Sequence, residues 1–289
     1  MNSTLKEMRF TAKVFSPYRN VRKVTVFGSA RTLPDDPMYE MARLFGRRLA
    51  EAGYMVITGG GGGIMQAVNQ GAGHEHSFGV NIRLPFEEKP NPVIEGNPRS
   101  INYKYFFNRK VAFLKESDAV ALFPGGFGTL DEAMETLTLV QTGKRNPMPL
   151  VLVETPDSSY WSHVVRFLEE ELLSHNYICP SDFALFERVL SAEEAVEKIR
   201  RFYRRYHSLR YVRGQLVIRL ASPLDDGAVA ALEERFRDLL LPGGRIAPSG
   251  ALDEEREDAD EVALPRLAID FNRRDFGRLR SLIDAINDF

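Results

Sequence analysis

Short apolar runs alternate with longer segments of helical periodicity from about residue 21 to residue 207. Runs rich in β-branched and aromatic residues predict strands at 24–29, 54–58, 78–84, 118–123 and 149–153. Apolar positions at helical spacing predict helices near 38–52, 63–73, 104–116, 129–142, 159–175 and 192–207. Nearly continuous apolar strands separated by helices are typical of a parallel sheet with both faces covered. We therefore expect an α/β fold with a doubly wound, Rossmann-like sheet, in which ligands bind beyond the carboxyl ends of the strands.

The pattern changes after about residue 208. The segments that follow are strand-like at 214–220, helix-like at 226–241, strand-like at 264–271 and helix-like to the end. This order predicts a small C-terminal βαβα appendage. We therefore divide the chain into an N-terminal extension (1–20), a main α/β domain (21–207) and a small α/β appendage of open role (208–289).

Two stretches are strongly charged, one within the appendage and one at its start. Residues 251–261 (ALDEEREDADE) hold seven acids and one arginine, which predicts a solvated or mobile loop. Residues 199–213 place six arginines among four aromatic residues, a composition that can stack bases and neutralise phosphates. The alternative is a helix C-terminus rich in cations that continues into a linker. We favour the alternative because the net charge of the whole chain is −2.

Composition excludes several classes of protein. The 44% apolar and 27% charged residues are typical of a globular protein. Cys179 is the single cysteine, so an internal disulfide and a cysteine-based zinc cluster are both excluded. The N-terminus lacks the apolar core of a secretory signal, and no stretch reaches the ~18 apolar residues of a membrane span. We predict a cytoplasmic protein that binds neither nucleic acid nor membranes.

A glycine-rich turn follows the predicted strand at 118–123. The sequence PGGFGTLDE (124–132) runs from this strand into a predicted helix, with Thr129 at an N-cap or first-turn position and Glu132 three residues later. Glycines here let backbone N–H groups converge, and with the helix dipole they form a site for a phosphate or similar anion. By itself, the motif equally allows a structural turn that binds nothing.

Two further loops lie at the carboxyl ends of predicted strands. Five consecutive glycines, 59–63, precede a predicted helix and offer a second anion site of the same kind. The sequence GSAR (28–31) follows the first strand and adds the hydroxyl of Ser29 and the guanidinium of Arg31, although an N-cap serine in an ordinary connection would look the same. A polar ligand could extend across these loops.

Known nucleotide-binding motifs narrow the choice of ligand. The chain contains no G-x-x-x-x-G-K-[ST] motif, which argues against a P-loop NTPase. Neither glycine loop completes the G-x-G-x-x-G fingerprint of dinucleotide binding, so we expect a mononucleotide. His74, Glu75 and His76 occupy a polar turn without the spacing of metal ligands. We therefore predict no metal site and no cofactor.

Two adjacent cations, Arg109 and Lys110, lie on the predicted helix that precedes the glycine-rich turn. The aromatic residues of this segment form its predicted core face; they are Tyr105, Phe106, Phe107 and Phe113. Cations in the middle of an amphipathic helix usually face solvent, so spacing alone leaves a solvent-exposed and a functional role equally open.

Four motifs together resemble the Lonely Guy (LOG) family, whose bacterial branch often carries the label "lysine decarboxylase". These motifs are GSAR (28–31), TGGGGGIMQAVNQGA (58–72), FFNRK (106–110) and PGGFGTLDE (124–132). The most specific feature is an Arg-Lys pair followed by P-G-G-x-G-T-x-x-E, and the chain matches every fixed position. The resemblance covers about residues 20–207 and is to the larger bacterial members, whereas the segment after 208 lies outside it.

The resemblance implies a function for the main domain. Members of the family commonly dimerise, and many hydrolyse the N-glycosidic bond of nucleoside 5'-monophosphates, including cytokinin ribotides, to release the base and ribose 5-phosphate. We therefore expect a nucleoside 5'-monophosphate phosphoribohydrolase that acts on a purine nucleotide or a cytokinin ribotide. We also expect a homodimer or a higher homo-oligomer, with residues 21–207 as the nucleotide-binding catalytic domain.

The resemblance also implies roles for individual residues. Arg109 and Glu132 are the implied catalytic residues. The implied substrate- and phosphate-binding residues are Ser29, Gly60, Gly61, Met65, Lys110, Gly125, Gly126, Gly128 and Thr129. The chain departs from many relatives in its uninterrupted glycines and in Asp131, which replaces a glutamate common in plant members. Neither change removes an implied catalytic side chain.

Two other functions stay open at this point. The main alternative is a non-enzymatic carrier of a nucleotide or of a ligand like the molybdenum cofactor, which would retain its ligand without turnover. The decarboxylase label would require pyridoxal phosphate, but nothing in the sequence identifies a lysine that would bind it as a Schiff base.

Overall fold

The computed structural model describes residues 2–82, 89–255 and 261–289. They form two compact units. The first unit contains the chain up to Leu137 together with Pro149–Ser174 and Phe186–Lys198, and the second contains Thr138–Met148, His175–Leu185 and Ile199–Phe289. The domain boundary expected at 207/208 stays a prediction.

A seven-stranded parallel sheet forms the centre of the first unit. Its strands are β1 (Lys23–Phe27), β2 (Met55–Thr58), β3 (Ser77–Ile82), β4 (Ser100–Tyr103), β5 (Ala119–Leu122), β6 (Leu150–Val153) and β7 (Glu187–Val189). Their order is β4-β3-β2-β1-β5-β6-β7, and every neighbouring pair is parallel. The direction of winding reverses between β1 and β5, which is where such sheets bind ligands. The predicted doubly wound α/β fold is confirmed.

Helices accompany these strands along the chain. They are α1 (Asn2–Phe15), α2 (Pro37–Glu51), α3 (Ile64–Ala72), α4 (Phe106–Lys115), α5 (Phe127–Gln141), α6 (Tyr160–Phe167) and α7 (Ala192–Phe202). In α2, apolar side chains at helical spacing, such as Ala42, Phe45 and Leu49, are fully buried and form one core face. The helix starts after Asp36, whose Oδ1 accepts a hydrogen bond from the Met38 N–H at 2.8 Å.

Three elements of the first unit were not predicted from the apolar pattern: β4, β7 and α1. The two strands lie at opposite edges of the sheet, pair on one side only, and have short, partly polar sequences. Edge strands need no continuous apolar run, so the pattern does not detect them. The helix predicted at 159–175 is divided into α6 and a π-helical segment at Leu168–Leu173.

The N-terminal helix α1 packs against α4. The carboxylate of Glu7 accepts hydrogen bonds from the backbone N–H of Lys104 at 2.9 Å and from Asn108 Nδ2 at 2.6 Å. The hydroxyl of Thr11 is hydrogen-bonded to the hydroxyl of Tyr103, one of the fully buried residues. The segment predicted only as an extension therefore contributes to holding α4 and the loop before it.

A four-stranded antiparallel sheet forms the centre of the second unit. The strands are β8 (Tyr206–Val212), β9 (Gln215–Leu220), β10 (Ile246–Ser249) and β11 (Arg266–Ile269), in the order β10-β11-β9-β8, and the helices are α8 (Asp226–Arg235) and α9 (Phe276–Asp288). Its core is apolar and includes Ile218, Phe236, Leu267 and Ile283. The four elements of the predicted βαβα pattern are β9, α8, β11 and α9.

Two strands, β8 and β10, complete that sheet and correct the prediction. The helix predicted at 192–207 ends at Phe202, and the arginine-rich stretch is not a linker, because Tyr206, Leu209 and Val212 are buried in a strand paired with β9. An irregularity near residue 207 interrupts the alternation of inward- and outward-facing side chains in β8, so the sequence of this strand lacks the usual alternating pattern. The strand β10 is short and contains a proline, which an edge position tolerates.

The acidic stretch also differs from its prediction. Residues 256–260 lie outside the described residues, but Glu255 is fully buried between two arginines. Its Oε1 accepts hydrogen bonds from Arg219 Nε at 3.0 Å and Nη2 at 2.8 Å, and its Oε2 accepts one from Arg266 Nε at 3.0 Å. The prediction of a solvated loop is therefore wrong for Glu255. A buried carboxylate needs charged hydrogen-bond donors, and the two arginines provide them.

Within residues 2–82, 89–255 and 261–289, no helix combines the length and the apolar character required to cross a membrane.

Candidate functional site

The carboxyl ends of β1 and β5 meet at a cavity of about 810 Å³. The turn after β1 is fixed to the glycine-rich turn after β5, since the Ser29 N–H donates to the Pro124 carbonyl at 3.0 Å. The walls come from these two turns, from α4 and from the first turn of α5. A cavity of this size at the switch point is suited to a small-molecule ligand. We refer to it as the switch-point cavity.

The glycine-rich turn leads directly into α5, as the sequence predicted. Thr129 is buried in the first turn of the helix, and a side chain at Gly125 would bring its Cβ within 2.2 Å of Thr129 Oγ1. Gly125 is therefore required for the close approach of the turn to the helix. Gly126 and Gly128 are exposed, line the cavity and have open space around them. The N–H groups of Thr129 and Leu130 donate to the Gly126 carbonyl at 3.0 and 3.2 Å, so it is the N–H groups before them, at the very start of α5, that are available to an anion.

Glu132 lies one turn further along α5 and lines the same cavity. Its Oε2 is buried and has no hydrogen-bond partner. Burial raises the pKa of Glu132 to about 7; the charge of Lys110 opposes this shift and the charges of Glu135 and Asp131 add to it. A carboxyl in this state can hold or release a proton at neutral pH.

Arg109 lines the cavity from α4. Its Nε donates a hydrogen bond to the Val80 carbonyl at 3.0 Å, and its guanidinium carbon lies 5.2 Å from the centre of the Phe113 ring. Its Nη2 would lie 2.6 Å from a Cβ at Gly59, so this glycine makes room for the guanidinium. Burial lowers the pKa of Arg109, and the charge of Glu132 opposes that shift. Both implied catalytic residues therefore line the same cavity.

Lys110 has a different environment from its neighbour Arg109. Its Nζ lies 2.7 Å from Asp131 Oδ2 and 2.6 Å from Glu135 Oε2, and it is not among the residues that line the cavity. Burial alone would lower the pKa of Lys110, but these two carboxylates raise it above its usual value. In this structure, Lys110 connects α4 to α5 and neutralises acids beside Glu132.

The five-glycine loop contributes less to the cavity than the sequence suggested. Gly59 lines the cavity, whereas Gly60 and Gly61 are not among its lining residues. The Gly60 N–H donates to Thr58 Oγ1 at 3.0 Å, and Asn91 donates its backbone N–H to the Gly60 carbonyl at 2.8 Å and its Nδ2 to the Gly61 carbonyl at 3.0 Å. These peptide groups support the loop from within the unit. Their predicted role in substrate binding stays a prediction.

Two other predicted binding residues, Ser29 and Met65, do line the cavity. Tyr160, which was not predicted, lines it too and donates a hydrogen bond from its hydroxyl to the Gly125 carbonyl at 2.8 Å. Tyr160 begins the helix after β6, so it lies near the carboxyl ends of the strands, where ligands bind. This position could have identified it from the sequence as a candidate site residue. Tyr160 fixes the first glycine of the turn that precedes α5.

Comparison with known proteins gives matches over the region that contains this site. The model of a family described as "Possible lysine decarboxylase" matches residues 65–199. Cytokinin riboside 5'-monophosphate phosphoribohydrolase LOG3 of Arabidopsis thaliana is 25% identical over 185 residues, 63% of this chain and 83% of the relative. Probable cytokinin riboside 5'-monophosphate phosphoribohydrolase LOGL3 of Oryza sativa subsp. japonica is 27% identical over 160 residues, 54% of this chain and 72% of the relative. The X-ray structure of TM1055 is similar with 25% identity and a TM-score of 0.46, covering 62% of this chain and 99% of that chain.

The decarboxylase description finds no counterpart in the cavity, because the described residues that line it include no lysine. In contrast, Arg109, Lys110 and the segment 124–132 all lie inside the matched region, and the plant relatives carry the name of the family that these motifs resemble. The resemblance to the Lonely Guy (LOG) family that was drawn from the motifs is thereby confirmed.

Proposed function

We propose that this chain is a nucleoside 5'-monophosphate phosphoribohydrolase that acts on a purine nucleotide or a cytokinin ribotide. The observation that carries the proposal is the carboxyl of Glu132, which has a buried, unpartnered Oε2 and a pKa raised to about 7 on the wall of the switch-point cavity. An ionisable group of this kind in a concave site is typical of catalytic residues. The names of the plant relatives, which specify this reaction on cytokinin riboside 5'-monophosphates, support the same assignment.

The cavity offers different surfaces to the two ends of a nucleotide. The exposed Gly126 and Gly128 and the N-terminus of α5 provide N–H donors and a positive dipole for the 5'-phosphate. Met65, Phe106 and Phe113 provide apolar surface against which a flat base can pack. The ribose, which connects phosphate and base, would then lie near the carboxyl of Glu132.

The reaction replaces the bond between C1' and the base nitrogen with a bond between C1' and a water oxygen. As the glycosidic bond breaks, positive charge develops on the ribose ring, and the Glu132 carboxylate stabilises it. The carboxylate also accepts a proton from the attacking water and then delivers it to the leaving base, which regenerates the carboxylate. Arg109 orients the substrate and the carboxylate through its fixed guanidinium. The products are the free base and ribose 5-phosphate.

The proposal includes a homodimer or a higher homo-oligomer and a cytoplasmic location. In support of an oligomer, α4 exposes Phe107 and Val111, which are 54% and 45% exposed, next to residues that line the cavity. Exposed apolar side chains grouped on one helix are typical of protein interfaces. In support of a reducing compartment, Cys179 is the only cysteine and its thiol is free and exposed.

The test incubates the purified full-length chain with AMP, CMP, GMP, UMP and isopentenyl-AMP, and follows free base and ribose 5-phosphate by chromatography. Wild-type protein is expected to release base from at least one of them. Glu132→Gln and Arg109→Ala are each expected to lower kcat by roughly 100-fold or more, because each removes charge that stabilises or positions the transition state. The circular dichroism spectrum should stay that of the wild type in both variants.

Glu40→Gln is the matched control, since Glu40 is an exposed acid of α2 that pairs with Arg43 and does not line the cavity. It should retain wild-type turnover. Near-normal rates in both Glu132→Gln and Arg109→Ala would contradict the assigned roles. Tight retention of a nucleotide without any release of base would favour the carrier function instead.

A further inference from the structure

Of the residues that the structure describes, two arginines line the switch-point cavity, Arg31 and Arg109. Arg109 is occupied by the Val80 carbonyl and the Phe113 ring. The side chain of Arg31 is exposed, and among the described residues none forms an ion pair or hydrogen bond with its guanidinium. Arg31 is therefore a cation of the cavity that is not committed to any intramolecular role.

The turn that carries Arg31 is held by backbone hydrogen bonds. Ser29, two residues earlier, donates its N–H to the Pro124 carbonyl at 3.0 Å and accepts the Ile64 N–H on its own carbonyl at 2.9 Å. The turn after β1 is thereby tied both to the glycine-rich turn and to the start of α3. The Arg31 N–H in turn donates to Ser29 Oγ at 3.1 Å, which leaves the proton of that hydroxyl available to a ligand.

The charges around the cavity favour an additional cation beside a bound phosphate. A phosphate monoester carries about −1.5 to −2 charges at neutral pH, whereas a helix N-terminus supplies only about +0.5. Asp131 and Glu132 add carboxyl groups to the lining, and the cation nearest to Asp131, Lys110, is already paired with it and with Glu135. Arg31 is the remaining cation with a free guanidinium among the described lining residues.

Building on the proposed function, we propose that Arg31 binds the 5'-phosphate of the substrate and sets the preference for nucleotides over nucleosides. Its guanidinium and the Ser29 hydroxyl close the phosphate site from the β1 side, opposite the N–H groups of Gly126 and Gly128. A guanidinium suits this role because its N–H groups bind two phosphate oxygens at once. The phosphate does not react, so the contact contributes equally to the bound substrate and the transition state.

The experiment measures kcat and KM for AMP and adenosine in the full-length wild type and in Arg31→Ala, Arg31→Lys and Arg47→Ala. Arg31→Ala is expected to raise KM for AMP on the order of 10- to 100-fold with little change in kcat, the range for loss of a charged hydrogen bond that acts before the chemical step. The kcat/KM for adenosine should stay unchanged. Arg31→Lys should restore part of the affinity. Arg47, an exposed arginine of α2 that does not line the cavity, should be neutral when replaced.

Isothermal titration calorimetry measures the binding of ribose 5-phosphate to the same proteins. It tests the phosphate contact of Arg31 independently of the proposed hydrolysis. Weaker binding to Arg31→Ala than to wild type supports the phosphate contact even if no base is released from any nucleotide. Equal binding to the two proteins, or an equal loss of kcat/KM for AMP and adenosine, would overturn it. Failure of the wild type to bind ribose 5-phosphate at all would overturn it as well.

Discussion

The carboxyl of Glu132 is near the middle of its titration at neutral pH. Burial raises its pKa to about 7, and the acids Glu135 and Asp131 contribute to the shift. The proposed mechanism needs the ionised form, whose fraction is about 0.1 at one pH unit below the pKa and about 0.9 at one unit above it. We therefore expect kcat/KM for the preferred nucleotide to rise about tenfold from pH 6 to pH 8. A pH profile of the wild type, with Glu40→Gln as the control, measures this rise.

The same ionisation changes stability in a defined direction. The folded protein holds a proton on Glu132 between the ordinary pKa of 4.5 and about 7, whereas the unfolded chain has already released it. Glu132 therefore makes the folded state less stable as the pH rises through this window. The Tm of Glu132→Gln minus that of the wild type should be larger at pH 8 than at pH 5. A constant Tm difference, together with a flat activity profile, would show that the carboxyl titrates near its ordinary pKa.

Single residues of the site were predictable to different degrees. Arg109 and Glu132 belong to a motif of fixed spacing, and α4 and α5 bring both to one cavity. The run of five glycines did not show which of its members would line the cavity, because glycines permit many backbone conformations. The orientation of Gly60 depends on its hydrogen bond with Asn91, which is distant in the sequence. Tyr160 was not predicted because its contact with the glycine-rich turn depends on the neighbouring positions of β5 and β6.

At the scale of elements, the apolar pattern detected the strands that are buried on both faces. Every residue of β1, β2, β5 and β6 is buried, so each appears in the sequence as a largely apolar run, with Lys23, Thr25 and Thr58 as the polar exceptions. The edge strands β4 and β7, and the strand β8 with its irregularity, have no such run. Their presence depends on tertiary pairing, which a local pattern does not contain.

The helix α4 makes a prediction about assembly. It directs Arg109 into the cavity. The core face predicted for this helix is wrong for Phe106 and Phe107, which are 57% and 54% exposed. Phe107 and Val111, four residues apart and therefore on one face, are both more than 40% exposed. If this face joins two copies of the chain, a charge on it will oppose association. We expect the wild type to have at least twice the monomer mass of 32.7 kDa by light scattering, and Phe107→Asp and Val111→Asp to approach the monomer mass.

Phe167→Asp is the control for that experiment. Phe167 ends α6 and is 55% exposed, so the substitution introduces the same charge at an equally exposed phenylalanine outside α4. It should leave the mass unchanged. A wild type that is monomeric at micromolar concentration would contradict the proposed homodimer, and an oligomer that resists both α4 substitutions would place the interface elsewhere.

At the scale of the whole molecule, the second unit is assembled from three separate segments of the chain. The segments Thr138–Met148 and His175–Leu185 belong to it together with everything after Ile199. Within this unit, Arg280 of α9 donates from Nη1 to the Met148 carbonyl at 3.2 Å. A sequence pattern describes consecutive residues, so the contribution of the two earlier segments was not predictable from it.

The discontinuous second unit leads to a prediction about the expected boundary at 207/208. A chain that ends at residue 207 would lack α9, on which the earlier segments pack. We expect its Tm to fall by about 10 °C or more, because each kcal/mol lost shifts the Tm by roughly 2–4 °C at this size.

Glycine substitutions in the full-length chain test the same packing more finely, at the second residue of α8 and of α9. A Cβ at Gly277 of α9 would lie 2.1 Å from the Ser181 carbonyl oxygen, whereas one at Gly227 of α8 meets only a side-chain atom of Asp225 at 3.3 Å. Gly277→Ala should therefore lower the Tm and Gly227→Ala should not, and a truncated chain that melts like the full-length protein would support an independent domain over 21–207.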